Sequence, residues 1–313
     1  KLLYLNDFIT NNKIETDIDG LTIILEGENE IISDGNAIYA SNNIIFSGNG
    51  SIIIEGNSNG IKSEKKVTIN SGNYDINGIT YNGIEALAIE INDGVVKTRG
   101  GYSGIHTMSH DHLYERDYFH INGGNLFTTA NKNVAINSSQ KEYDNCIVVV
   151  KDSSGVELNM YGSATLLENV SVTKELRIKK DTTLIIGKDV TLELLDKDLL
   201  KLEGSIIIEG NMLAENSRYY NLYVKEYNGG VVKIPYNIAL EGEEVNLEII
   251  PNEGYKLNIL QTVNYILDIK ANVIDNKFIM PSADIIIEAT FVKEEKNPDT
   301  SSSALHQRWL RLR

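Results

Sequence analysis

A glycine or alanine followed by isoleucine recurs at Ala37-Ile38, Gly60-Ile61, Gly83-Ile84 and Gly104-Ile105, at spacings of 23, 23 and 21 residues. Between these marks lie short runs such as "NIIFSG", "GSIIIEG" and "KVTINSG", in which apolar and polar residues alternate and Gly, Asn or Ser closes each run. Alternation with period two is the signature of a strand with one buried face, and the closing residues are turn formers. Three such strands fit in one period. A unit of about 22 residues cannot bury an apolar face by itself, so it must stack on copies of itself.

Parallel coiling follows, because hairpins would not generate so even a period. The expected fold is all-β: a right-handed parallel β-helix of about 22 residues per coil. Its inward positions should be Ile38, Ile44, Phe46, Ile52, Ile54, Ile61, Val67, Ile69, Ile84, Ile89, Ile91, Ile105 and Ile121. β-Branched side chains dominate the set because they stack well on a pleated wall.

The period breaks once. After Gly104-Ile105 the next comparable mark, Ala135-Ile136, comes 31 residues later, and the excess falls around "SHDHLYERD". This stretch is therefore an insertion at one corner of one coil. A shorter excursion, "SSQKEYDN", follows Ile136 at the same corner one coil on. Insertions in a solenoid map to one side, often the binding side, so the two loops together are expected to form a shelf. Beyond residue 156 strands continue with less regular spacing, and "GSIIIEGN" reappears at Gly204, carrying the coil to about Asn216.

The formal net charge is −15, from 29 Lys and Arg against 44 Asp and Glu. That argues against nucleic acid and against anionic membranes, both of which call for cationic faces. No apolar run approaches the ~18 residues of a membrane span, and the opening "KLLYLNDFIT" lacks the regions of a signal peptide. An exported protein would carry that address outside this sequence. The lone Cys146 cannot form an internal disulfide, which leaves packing to hold the fold.

Residues 18 to 155, with the "LEGEN" turn, the Gly-Ile mark and the "INGG" strand end, resemble the repeat of Gram-positive surface β-helix domains of carbohydrate-binding type. A second stretch, 229 to 292, is similar to the internalin B-type repeat of bacterial surface proteins. The residues that match are Gly242, Glu243, Val245 and Leu247, then Pro251, Gly254 and Tyr255, then Phe278, Met280 and Pro281. The resemblance implies a small β-grasp-like unit whose motif residues are core and turn, with a spacer or adhesion role. The expected organisation is a β-helix over 1–216, the repeat module over 217–293 and a linker or appended, non-native tail over 294–313. A secreted or wall-attached protein is implied.

Four of the five histidines (His106, His110, His112 and His120) lie between residues 104 and 120. His110 and His112 stand at i and i+2, so in an extended segment both imidazoles share a side and are candidates for a divalent metal, though no zinc-site spacing such as H-E-x-x-H is present. Sugar binding asks for an aromatic face to stack on a pyranose and for polar groups to bond its hydroxyls. Tyr102, His106, His110, Asp111, His112, Tyr114, Glu115, Asp117, Tyr118 and, on the neighbouring excursion, Tyr143 supply both, and the shelf is placed at 106–120. The expected function is non-catalytic adhesion or glycan binding, with a glycan or host-surface component as partner. Two alternatives stay open. One is a β-helix polysaccharide lyase or glycoside hydrolase using Asp111, Glu115 and Asp117 as paired carboxylates. The other is a stalk without ligand.

Overall fold

A computed structural model describes residues 1–108, 117–225 and 228–295. The chain divides into two compact units at Tyr219/Tyr220.

The first unit is a right-handed parallel β-solenoid of about nine coils. Each coil of its first part contributes one strand to each of three walls. Wall 1 begins with Leu2–Asn6, Leu21–Glu26 and Ile44–Gly48, wall 2 with Ile9–Thr10, Glu28–Ser33 and Ser51–Gly56, and wall 3 with Ile14–Thr16, Ile38–Ala40 and Ile61–Ser63. Neighbouring strands pair in parallel, in register. All the inward residues expected from the sequence are buried, none above 1% exposure. Along wall 1, Phe46, Ile69, Ile91 and Ile121 are part of a continuous ladder, Leu3–Ile23–Phe46–Ile69–Ile91–Ile121–Tyr143. Each buried isoleucine contributes about 1.5–3 kcal/mol before conformational entropy is charged.

Wall 1 advances from Ile44 to Val67 to Ile89 and then jumps to Phe119 without losing register. The extra residues fall in sequence between a wall 3 strand, Ser103–Thr107, and a wall 1 strand, Tyr118–Ile121, and the ladder keeps its register across them. The glycine marks have a steric cause. A Cβ on Gly83 would lie 2.6 Å from the carbonyl oxygen of Gly104, and one on Gly78, at the end of a wall 2 strand, 1.8 Å from that of Asn82. At these two positions the corner between walls 2 and 3 leaves no room for a side chain.

Buried amides hold that corner. Asn59 Nδ2 donates to Asn36 Oδ1 (3.1 Å), Asn82 N to Asn59 Oδ1 (2.9 Å) and Ser103 N to Asn82 Oδ1 (3.2 Å). Each coil thus satisfies the next, as buried polar groups require.

The coil is interrupted once. Cys146–Asp152 on wall 2 turns back into Gly155–Tyr161, an antiparallel partner. Ile147, Val149, Leu158 and Met160 share the face turned away from the first core, yet all are buried. A second stack covers them: Ala164–Leu166, Val170–Val172 and Leu176–Ile178 start three new parallel walls. Asn125 ties the two stacks, its Nδ2 donating to Thr165 O (2.8 Å) and its Oδ1 accepting from Leu167 N (2.9 Å). The continuation beyond residue 156 is therefore a fresh stack set beside the old one.

The second unit is a small β-sheet domain. Tyr255–Asn264 runs antiparallel to Ile285–Lys293, and Gly230–Lys233 to Glu248–Pro251. Val245, Leu247, Phe278 and Met280 are buried in its core, and Gly242 and Gly254 take positive φ in turns. No helix occurs among the described residues of this unit, and none anywhere among the described residues is long and apolar enough to cross a membrane.

Candidate functional site

The corner between walls 3 and 1 changes from coil to coil. Four residues (17–20) connect Ile14–Thr16 to Leu21–Glu26, three (41–43) connect the next pair of strands, two (64–65) the next, and one (Leu87) the next. The following connection, from Ser103–Thr107 to Tyr118–Ile121, takes ten (108–117), of which 109–116 lie outside the described residues. The corner steps inward over four coils, from exposed Asp19 to Leu87 at 7% exposure.

These steps make a groove of about 480 Å³ lined by Asp19, Asn42, Asn43, Lys65, Lys66, Leu87, Ala88 and Tyr118. Lys66, Ala88 and Tyr118 occupy one outward register on wall 1. The small alanine lies between the two long side chains, and all three line the groove. The Lys66 ammonium sits 5.7 Å from the Tyr118 ring centre and pairs with Glu90. Burial pulls the Lys66 pKa down, but hydrogen bonds to Glu90 and Tyr118 outweigh it and raise it overall, so the ammonium keeps its proton. Asn42 Nδ2 donates to Asp17 O (2.9 Å) and Asn43 Nδ2 to Asp19 Oδ1 (2.8 Å). Each amide is thereby oriented and retains one N–H, since an amide nitrogen carries two.

The residues expected at the shelf are distributed differently. Asp117, 8% exposed, accepts from Thr107 Oγ1 (3.0 Å) and Ser139 N (3.1 Å) at Oδ2 and from Ser139 Oγ (2.5 Å) at Oδ1. Burial raises its carboxyl pKa, and these bonds lower it further than that, leaving it below the usual range. It pins the foot of the insertion to the next coil. His106 lies on the outer face of wall 3, where its Nδ1 is 3.6 Å from Glu85 Oε2. Glu85 also meets Lys62 (3.0 Å) and Asn82 Nδ2 (2.5 Å). Burial pushes Glu85 up, but hydrogen bonds from His106, Lys62 and Asn82 prevail and hold it down at about 2. Tyr102 is 47% exposed at the opposite end of wall 3, where its N–H bonds Tyr81 O. The five-residue strand that separates it from the groove corner spans about 17 Å.

Tyr143 belongs to the packing. Lys141–Tyr143, within the excursion "SSQKEYDN", is a wall 1 strand, and its tyrosine points inward against Phe119 and Tyr161. The inward ladder ends here, and an aromatic ring closes it. His110, Asp111, His112, Tyr114 and Glu115 lie outside the described residues. Among the described residues no group of three His, Cys, Asp or Glu side chains is placed to hold a metal ion.

Carbohydrate-binding domain-containing proteins match residues 9–217, about two thirds of the sequence, the span of the solenoid and its groove. The chain belongs to that family. Residues 220–295 match the divergent InlB B-repeat domain, in agreement with the buried Val245, Leu247, Phe278 and Met280. No curated protein and no solved structure matches the chain. The solenoid is thus a carbohydrate-binding, adhesion-type module followed by a distinct InlB-type module.

Of the residues expected at the site, Tyr118 lines the groove, while Asp19, Asn42, Asn43, Lys65 and Lys66 escaped the sequence reading. Their signal was present as the shrinking connections "DIDG", "SNN", "EK" and "L" between strands, legible once strand ends are fixed.

Proposed function

We propose that this chain is a non-catalytic glycan-binding module of a secreted or wall-attached protein, with its sugar held in the stepped corner groove. The observation that carries the reading is the meeting, in one groove, of the Tyr118 ring with the side-chain amides of Asn42 and Asn43. An aromatic face stacks on the apolar side of a pyranose, and oriented amides bond its hydroxyls. Family membership of the solenoid supports the same ligand class. A groove this open gives weak single-site affinity, so adhesion relies on many displayed copies, and the InlB-type module serves as spacer. The lyase or hydrolase alternative draws no support from Asp117, whose carboxylate is spent on Thr107 and Ser139.

A glycan array probed with the full chain, with Tyr118→Ala and with Asn42→Ala tests this. Binding is expected for the parent and is reduced at least tenfold in both variants, with folding verified by circular dichroism. Equal binding by all three proteins would remove the groove from the reading.

A further inference from the structure

The groove has a direction and a pitch. Its floor passes from Asp19 through Asn43 and Lys66 to Ala88 and Tyr118, one contribution from each of five successive coils. Parallel strands lie ~4.8 Å apart, so four steps cover about 19 Å along the solenoid axis. Polar side chains stand at the shallow end and the aromatic ring at the other, with the apolar floor of Leu87 and Ala88 before it.

From this pitch we infer that the ligand is a neutral, linear, β-linked polysaccharide lying along the solenoid axis, one sugar per coil. The inference rests on the glycan reading above. A β-1,4-linked pyranose chain in its extended ribbon form advances by roughly one strand spacing per sugar with alternate sugars turned over, so each unit lies beside one coil and like faces recur at every second coil. An α-linked chain coils and loses that match after one or two units. Charge argues for a neutral chain. Lys66 is already paired with Glu90, Lys65 and Asp19 line the same groove with opposite charges, and the protein as a whole carries −15, which repels a polyanion. The terminal sugar stacks on Tyr118, the next lies over Ala88, the third passes Lys66, the fourth meets Asn42 and Asn43, and the fifth reaches Asp19.

Isothermal titration of the full chain with β-1,4-linked glucose oligomers and β-1,4-linked N-acetylglucosamine oligomers of one to six units is the test, with α-1,4-linked glucose oligomers as control. For at least one β-linked series, affinity should rise at least tenfold between two and four units and stay flat from five to six. The α-linked series should show no such rise. Asn43→Ala, an exposed change that leaves the core untouched, should abolish the gain of the four-unit over the two-unit oligomer, while Tyr118→Ala should weaken every length. Length-independent affinity, or an equal loss at every length for Asn43→Ala, would overturn the axial arrangement. Array binding of some glycan with no response from either β-linked series would overturn this inference alone and leave the glycan reading standing. No binding to any glycan on the array would overturn both.

Discussion

The ring of Tyr143 lies flat on that of Tyr161, centres 4.4 Å apart and planes inclined by 14°. Tyr143 ends the inward ladder of the first stack, and Tyr161 sits on the returning strand that begins the departure to the second. A solenoid needs a cap because its last coil would otherwise show its core to water. Burial and the neighbouring Tyr161 and Cys146 push the Tyr143 hydroxyl up to about 12, so it stays neutral there. Tyr161→Ala should cost about 2–4 kcal/mol, and Tyr161→Phe, which keeps the ring, less than about 1 kcal/mol. Urea titrations followed by near-ultraviolet circular dichroism would measure both.

Glu85 makes the stability of the solenoid pH-dependent at the acid end. Its side chain is 12% exposed and its carboxyl is held at about 2, below the usual 4.5. A depressed acid stabilises the fold fully above its unfolded pKa and loses that contribution as pH falls through the folded value. About 3 kcal/mol is therefore expected to drain away between pH 4.5 and pH 2. Glu85→Gln should be less stable than the parent at pH 7, with the gap closing by pH 2 in denaturant midpoints taken at each pH.

The buried amide ladder stops at Ser103, whose Oγ is buried without a partner among the described residues. Removing an unsatisfied hydroxyl relieves a desolvation penalty, so Ser103→Ala should be neutral or stabilising by up to about 1 kcal/mol. Asn82→Ala, one coil earlier, strands the N–H of Ser103 and should cost about 1–3 kcal/mol. The two melting temperatures should move in opposite directions, or Ser103→Ala should not move at all.

Two glycines on the same solenoid separate steric from conformational need. At Gly78 a Cβ would meet the Asn82 carbonyl at 1.8 Å, a backbone atom that cannot step aside. Gly78→Ala should destabilise by about 2–3 kcal/mol or more. Gly20 has φ of 66° and nothing within 4 Å of its Cβ position, so Gly20→Ala should cost only the left-handed strain, about 1 kcal/mol. Thermal unfolding of the two variants side by side would check the ranking.

The 22-residue period and its alternation named the buried wall residues from Ile38 to Ile121, because stacking a short three-strand unit leaves each position one possible side. The same period exposed the insertion after Thr107, since a coil can lengthen only by bulging at a corner. The InlB-type motifs Val245, Leu247, Phe278 and Met280 were likewise legible as core. Residue type alone made Tyr143 and Asp117 look like ligand groups, and only the assembled coils put one ring in the cap and one carboxylate at the foot of the insertion. The groove was hidden for the same reason. Asn43, Lys66 and Tyr118 are far apart along the chain, and their neighbourhood exists only after the coils are laid in register at ~4.8 Å. Periodicity is a local property that burial enforces at every turn, whereas a site is a sum over turns, decided by how far each corner steps in from the last.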